Sequence, residues 1–194
     1  NISPEKKSVF DVLVRIPGWA QNQPVPGNTY MYLNAAEKNF TLTINGKPAD
    51  YKMQNGYAII SREWKQGDMV QLQLPMNVQR VVTSENVADD KDRVALQRGP
   101  LMYCAEHADN SNVLNVVLPD DAKFTTAFDN NLLNGVITIS ADAMTLQPAA
   151  DGSSVQTVNQ KINFIPYYAW ANRGAGQMQM WLPRKFIAVR FDGK

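Results

Sequence analysis

The chain has 194 residues, of which 44% are hydrophobic, and its 19 Lys and Arg against 18 Asp and Glu give a net charge of +1. This composition is typical of a globular protein and not of a disordered one. The basic residues are scattered, so no nucleic-acid partner is expected, because phosphate binding needs a concentrated positive surface. No apolar run approaches the roughly 18 residues of a membrane span, so no membrane partner is expected either.

In the N-terminal part of the chain, apolar residues alternate with polar ones, which is the pattern of half-buried strands. Strands are predicted over residues 8–16, 40–44, 57–61 and 70–74. Asn45-Gly46 follows the run 40–44, and Asn55-Gly56 precedes the run 57–61. Both dipeptides predict two-residue hairpin turns, because Asn and Gly tolerate positive φ angles.

The polar stretch 83–92 is the predicted boundary between two units, residues 1–84 and 85–194. Beyond it, strands are predicted over residues 94–97, 101–106, 113–118, 136–141, 161–170, 178–182 and 186–191, and Asn134-Gly135 marks another hairpin. No apolar pattern of helical period lasts three turns, so any helix should be a short connector. The sequence therefore predicts an all-β fold of two consecutive antiparallel β-sandwich, jelly-roll-like domains.

The acidic residues give no catalytic pattern. Glycoside hydrolysis usually needs two carboxyl groups flanking the bond, one protonated and one ionised. The residues available are Glu63, Glu85, Asp89, Asp90, Asp92 and Glu106. Their spacing fixes no common site, and the run 89–92 is interpreted as a solvated turn.

Cys104 and His107 are the single cysteine and the single histidine of the chain. One cysteine excludes an intrachain disulfide and any metal site of several thiolates. Residues three apart on a strand point to opposite faces, which argues against a Cys–His catalytic pair. Cys104 is interpreted as a small buried hydrophobe and His107 as a loop residue, so no catalytic, cofactor-binding or metal residue is predicted.

The segment 165–174 is dense in aromatic residues. Strand alternation predicts Tyr168 and Trp170 on one face and Tyr167 on the other, so that one face fills a core and the other meets a partner. Arg173 would offer donors to that partner. Aromatic rings also stack on sugars, so these four residues are candidate interface or sugar contacts.

Several motifs follow one another in a fixed order along the chain. They are VRIPGWA at 14–20, LTINGK at 42–47, REWKQGD at 62–68, LQLPM at 72–76, RVALQRGPLMYC at 93–104 and IPYYAWANRG at 165–174. In this order the chain resembles the C-terminal part of glycoside hydrolase family 127, the β-L-arabinofuranosidase family. The resemblance covers nearly the whole chain.

The resemblance implies an N-terminal (α/α)₆ barrel that carries catalysis and is followed by two β-sandwiches. In that barrel a Glu and several Cys surround a Zn²⁺ ion, and one Cys is the nucleophile. None of this cluster has a counterpart here, since Cys104 belongs to a motif of the second sandwich. Zinc is therefore expected in the barrel and no cofactor in this chain.

Three function classes follow from this comparison. The first is a structural module that supports the barrel of the same protein, with homo-oligomerisation as a further role. The second is a carbohydrate-binding module that recognises plant-type glycans through exposed aromatics. The third is a self-sufficient enzyme. A chain that begins at Asn1, without Met or a signal-peptide pattern, is expected to be an excised or processed fragment.

Overall fold

The computed structural model describes residues 1–35, 40–150 and 154–186. Seven strands precede residue 76, namely β1 (Ser8–Arg15), β2 (Tyr30–Tyr32), β3 (Thr41–Ile44), β4 (Lys47–Pro48), β5 (Lys52–Gln54), β6 (Tyr57–Trp64) and β7 (Val70–Gln73). Nine follow it, namely β8 (Val78–Thr83), β9 (Arg93–Arg98), β10 (Leu101–Glu106), β11 (Val116–Val117), β12 (Phe124–Asp129), β13 (Val136–Pro148), β14 (Val155–Pro166), β15 (Met178–Gln179) and β16 (Leu182–Pro183).

Helical structure within the described ranges consists of short 3₁₀ turns, at Gly18–Gln21, Ala88–Asp90 and Tyr167–Ala169. They connect strands, as predicted. Across these same ranges, no helix is long and apolar enough to cross a membrane.

The N-terminal unit is built from two three-stranded antiparallel sheets, ordered β1-β6-β5 and β4-β3-β7. Alternate residues of both sheets point into one core, and its buried members are Ile16, Ala20, Leu42, Ile44, Ala58, Ile60 and Trp64. The Trp64 ring is fully buried, and its Nε1 donates to the Phe10 carbonyl oxygen at 2.9 Å. Period-two alternation thus places the apolar faces of the two sheets against each other.

Both predicted Asn-Gly hairpins of this unit are confirmed. Asn45 and Gly46 have φ angles of 51° and 78°, and Asn55 and Gly56 have 49° and 78°. The first turn joins β3 to β4, and the second joins β5 to β6 in register. Positive φ at both central residues is the requirement of a type I′ turn, which Asn-Gly meets at low cost.

The C-terminal unit is a ten-stranded sheet whose main path is β11-β13-β14-β10-β9-β8-β2, with β12 on β13, β15 on β10 and β16 on β9. Strands far apart on this path contribute to one core, so the sheet folds over on itself. The buried members of that core are Val94, Leu96, Tyr103, Ala105, Val113, Val116, Leu118, Ile139, Ala141, Ala143, Ile162, Phe164 and Leu182. The predicted all-β fold of antiparallel sandwiches is confirmed.

The two units share one strand and one contact region. Strand β2 lies early in the chain, yet it pairs with β8 at the end of the large sheet. Tyr32 of β2 is buried, and its hydroxyl contacts Gln97 Oε1 of β9 at 3.1 Å. Trp19 packs against the N-terminal core and also against the cluster around Tyr32. Strand β8 lies before the predicted boundary at residue 84, and that boundary stays a prediction.

Several predicted strands differ from the observed ones. The strand predicted over 161–170 ends at Pro166, where the chain turns into the 3₁₀ segment Tyr167–Ala169. The strand predicted over 178–182 is divided between β15 and β16, and that over 113–118 is reduced to β11. Strand β12 was not predicted. The strand predicted over 186–191 lies, after its first residue, outside the described part.

Candidate functional site

The aromatic surface, defined as Tyr167, Tyr168 and Trp170, lies on the turn that follows β14. The three side chains are 43%, 58% and 38% exposed, while Ala169 between them is fully buried. The Tyr167 and Trp170 rings stack with centroids 5.9 Å apart. The predicted strand alternation is wrong here, because a helical turn brings residues three apart onto one side and groups Tyr167 with Trp170.

Arg173 fixes the loop that carries the aromatic surface. Its Nη2 donates to Glu106 Oε2 at 2.5 Å and to Asp109 Oδ2 at 2.5 Å, and its Nη1 donates to Asp109 Oδ1 at 2.6 Å. Hydrogen bonds to Asp109 and Glu106 raise the pKa of Arg173 above its ordinary value. The expectation that Arg173 offers donors to a partner stays a prediction; in this structure its two terminal nitrogens bind carboxylates of its own chain.

Glu106 is the buried end of this network. Its side chain is only 4% exposed, and Oε1 also accepts a hydrogen bond from the Ala171 backbone N–H at 3.1 Å. Ala171 has a φ angle of 64°, so the carboxylate holds the loop in a left-handed conformation. Charge-assisted hydrogen bonds of this kind are stronger than neutral ones.

A buried amide, that of Asn110, ties the network to the large sheet. Its Nδ2 donates to the carbonyl oxygens of Glu106 and Asn163 at 2.8 and 2.9 Å, and its Oδ1 accepts from Asn163 N–H at 2.8 Å. These bonds connect the end of β10 with β14. The aromatic surface thus stands on a loop held by ionic and backbone hydrogen bonds, with little freedom to rearrange.

The acidic residues do not form a glycosidase pair. Glu106 and Asp109 meet, but both accept hydrogen bonds from the same guanidinium and do not flank an open space in which a glycosidic bond could lie. The remaining candidates lie on separate elements. Glu63 lies on β6, Glu85 follows β8, Asp89 and Asp90 lie on a 3₁₀ turn, and Asp92 binds Lys185 at 3.4 Å.

Cys104 and His107 are separated by the end of β10. Cys104 is fully buried among Leu132, Val136, Ile165 and Ala169, and burial raises the pKa of its thiol to about 12. His107 is exposed after the strand, where its N–H donates to the Gln177 carbonyl oxygen. The thiol is therefore kept neutral and shielded, which is the reverse of what a nucleophile or metal ligand requires.

The described residues do not fit a zinc site. Within ranges 1–35, 40–150 and 154–186, no three His, Cys, Asp or Glu side chains gather where they could hold a metal ion. Glu106 and Asp109, the two carboxylates that meet at Arg173, are both occupied by its guanidinium.

A cleft of about 670 Å³ lies between the segment 119–123 and strands β13 and β14. Its lining includes Asp121, Lys123, Asp142 and Lys161, and no aromatic side chain. Asp142 and Lys161 pair with each other at 3.1 Å and are both about 70% exposed. The cleft therefore lacks the ring surfaces on which sugars stack.

Two protein-family models match consecutive parts of the chain. The model described as the β-L-arabinofuranosidase, GH127 middle domain matches residues 1–76, and the glycoside hydrolase family 127 C-terminal domain matches residues 78–183. The division between them falls directly before β8. Together the two matches cover almost the whole of the chain.

Individual proteins agree with the family matches. The chain is 31% identical over 183 residues to a non-reducing end β-L-arabinofuranosidase of Bifidobacterium longum subsp. longum, and this covers 88% of the chain and 25% of that protein. A solved GH127 β-arabinofuranosidase is 36% identical with a TM-score of 0.85, covering 92% of the chain and 28% of the other.

A second solved structure, the GH127 β-L-arabinofuranosidase from Geobacillus stearothermophilus T6, is 37% identical with a TM-score of 0.80. The match covers 94% of the chain and 28% of that protein. The chain thus spans about a quarter of the length of the relatives that it matches.

Proposed function

The chain belongs to glycoside hydrolase family 127, and from that premise we propose that it is a non-catalytic β-sandwich module of a longer enzyme of the β-L-arabinofuranosidase type. The observation that carries the proposal is the extent of the match. The chain corresponds to a middle and a C-terminal domain and to about a quarter of each relative. Catalysis then belongs to a domain outside this chain.

The chemistry of the described side chains supports this division of labour. The carboxylates that meet, Glu106 and Asp109, are both bound by Arg173, and the Cys104 thiol is buried and held neutral. Neither arrangement supplies an acid, a base or a nucleophile to a substrate. In this proposal, the zinc ion implied by the resemblance is likewise held by the catalytic domain.

The aromatic surface is the proposed contact with that domain. Tyr167, Tyr168 and Trp170 expose large apolar area on a loop fixed by the Arg173 network. Interfaces between domains of one chain commonly bury roughly 600 to 1,500 Å² and use aromatic anchors. A preorganised loop loses little conformational entropy on docking, which favours a stable contact.

A carbohydrate-binding module is the second candidate, and one observation favours it. Tyr168 is 58% exposed beside the stacked Tyr167–Trp170 pair, so ring faces are available at a rigid site. Sugars bind such faces through their C–H groups. The same three residues would then recognise a glycan and not a protein domain.

Calorimetric titration of the chain with arabinose-containing glycans distinguishes the two functions. The supporting-module proposal expects no binding to the isolated chain, and it expects Trp170→Ala to lower the thermal stability of the longer enzyme without changing its sugar preference. Phe128→Ala is the matched control, because Phe128 is also an exposed ring, at 65%, but it lies on strand β12 and is not part of the aromatic surface.

Tight glycan binding that Trp170→Ala abolishes and Phe128→Ala preserves would replace the supporting-module proposal by the carbohydrate-binding one. Turnover of an arabinofuranoside by the isolated chain would contradict both. Loss of that turnover on Cys104→Ala would place a catalytic residue in this chain.

A further inference from the structure

Three Asn-Gly pairs occur in the chain, namely Asn45-Gly46, Asn55-Gly56 and Asn134-Gly135. An Asn before a glycine is prone to spontaneous deamidation, because glycine has no side chain to shield its backbone nitrogen from the neighbouring amide. In that reaction the glycine nitrogen attacks the side-chain carbonyl carbon of the Asn. A pair in a folded protein therefore reacts only where the amide and the nitrogen are free to meet.

Hydrogen bonds hold both polar atoms of the Asn45 side chain. Its Nδ2 donates to Asp68 Oδ1 at 2.8 Å, and its Oδ1 accepts from the Met69 N–H at 2.8 Å. Asp68 is itself only 1% exposed and accepts from the Lys65 N–H at 3.1 Å. The Asn45 amide cannot turn toward Gly46 without breaking two hydrogen bonds, one of them to a carboxylate.

In the pair at 134–135 the glycine nitrogen is held instead. Gly135 N–H donates to the Leu132 carbonyl oxygen at 2.9 Å, and Leu132 is buried in the cluster around Cys104. The Phe128 ring also packs against Gly135, on the side where a Cβ would be. Attack by this nitrogen on Asn134 requires the hydrogen bond to break and the turn to move away from the ring.

The pair Asn55-Gly56 has neither restraint. Asn55 is exposed, and within the described part of the chain its side chain has no hydrogen-bond partner. Gly56 is held through its carbonyl oxygen, which accepts from Ile16 N–H at 2.9 Å and from Arg15 Nη1 at 2.7 Å. Its nitrogen donates to none of the described residues, since the two central residues of this turn lie outside the bonds that close it.

The hairpin around this pair can also open locally. Strand β5, its first arm, has three residues, all of them exposed, and lies at the outside of the sheet β1-β6-β5. Short exposed elements of this kind open with a low free energy. Asn55 can therefore rotate its backbone and bring its amide to the Gly56 nitrogen without unfolding of the whole domain.

We propose that Asn55 is a deamidation site of the folded protein. Gly56 N loses its proton to the solvent and forms a bond to Asn55 Cγ, while the Cγ–Nδ2 bond breaks and Nδ2 takes up a proton and leaves as ammonia. Water then opens the succinimide ring. Attack of water at Cγ gives aspartate, and attack at the main-chain carbonyl carbon gives isoaspartate. Water is the only co-reactant, and nothing is oxidised or reduced.

The modification changes both the charge and the turn. Either product carries a carboxylate in place of a neutral amide, so the net charge of +1 falls by one unit. Isoaspartate also adds one carbon to the main chain, in a two-residue turn that sets the register of β5 with β6. The turn at 55–56 is therefore altered with time, while those at 45–46 and 134–135 persist. The inference does not depend on the proposed function.

Peptide mapping of the 194-residue chain tests the proposal. A folded sample and one unfolded in guanidinium chloride are kept at mildly alkaline pH and digested with trypsin, which releases residues 53–62 with Asn55 as their sole Asn. In the folded chain, we expect Asn55 to react at least about tenfold faster than Asn45 or Asn134. In the unfolded chain the three should react within about threefold of one another, because the shared dipeptide then sets the rate. Digestion in heavy-oxygen water identifies acid formed during the digest.

Isoelectric focusing of two matched variants gives a second measurement. An acidic band should grow with time in the folded wild type and be lost in Asn55→Gln, because a glutamine side chain must close a larger ring that forms more slowly. Asn134→Gln should keep the band. Circular dichroism verifies that both variants retain the β fold.

A folded chain in which Asn45 or Asn134 reacts as fast as Asn55 would overturn the proposal. The same holds if Asn55 of the folded chain stays an amide while the unfolded sample converts completely, since the turn would then protect this pair as well. Loss of the acidic band in Asn134→Gln but not in Asn55→Gln would place the modification in the other turn and contradict the assignment.

Discussion

Replacing Arg173 by alanine should destabilise the C-terminal unit far more than the surface position of that residue suggests. The Glu106 side chain is 4% exposed, and without the guanidinium the donor that its carboxylate retains among the described residues is the Ala171 N–H. An ionised carboxylate would then be buried without a cation. Such a group must either stay uncompensated or become protonated, and both cost free energy of unfolding.

The size of the effect follows from the exposure of each partner. Breaking a buried ion pair by removing one side costs about 3–5 kcal/mol. Arg173 is 29% exposed and Asp109 is 24% exposed, so water screens part of the interaction. We therefore expect Arg173→Ala to lower the free energy of unfolding by about 2–3 kcal/mol.

Urea unfolding followed by circular dichroism measures this loss. The matched control is Lys161→Ala, which removes an ion pair with Asp142 in which both side chains are about 70% exposed. That change should cost less than about 0.5 kcal/mol. Limited proteolysis should also cut the segment 167–174 faster in Arg173→Ala. If the two variants lose equal stability, the Arg173 network does not hold the loop and the reasoning is refuted.

Three further outcomes are expected. Cys104 should react with a thiol reagent at about pH 8 only after unfolding, because burial raises its pKa to about 12; prompt labelling of the native chain would contradict this. Trp64→Phe should cost about 2 kcal/mol in urea unfolding, because the bond to the Phe10 carbonyl and buried ring volume are lost; an unchanged midpoint would argue against that bond. Hydrogen bonds from Arg184 lower the pKa of Asp120, so this stabilisation is present above the ordinary carboxyl pKa and is lost as pH falls through the folded-state value. Between about pH 5 and pH 2 the wild type should therefore lose more stability than Asp120→Asn, and parallel curves would disprove the linkage.

The hairpins were predictable because their cause is local. Asn45-Gly46 and Asn55-Gly56 adopt positive φ at both residues, and this preference resides in the dipeptide itself. Alternation likewise predicted which face of β3 is buried, since Leu42 and Ile44 point inward. Where a neighbouring pair of residues determines the backbone conformation, the sequence alone is sufficient to predict the turn.

The candidate site was not predictable in the same way, because its contacts join distant positions. Arg173 binds Glu106 across 67 residues of sequence, and no local pattern signals that pairing. Alternation also failed at Tyr167 and Trp170, because the turn there depends on burying Ala169 and on the Trp170 N–H bond to the Tyr167 carbonyl oxygen. Asp109 was missed because a lone acid in a polar turn resembles solvated surface.

The pairing of β2 with β8 has a consequence for how these modules can be exchanged among proteins. A recombination junction between residues 76 and 78, where the two family matches divide, would transfer the C-terminal unit without the strand that covers its β8 edge. Tyr32, which is buried against Gln97, would remain behind with the donor gene. A recombination event that preserves the fold must therefore transfer both sandwiches together.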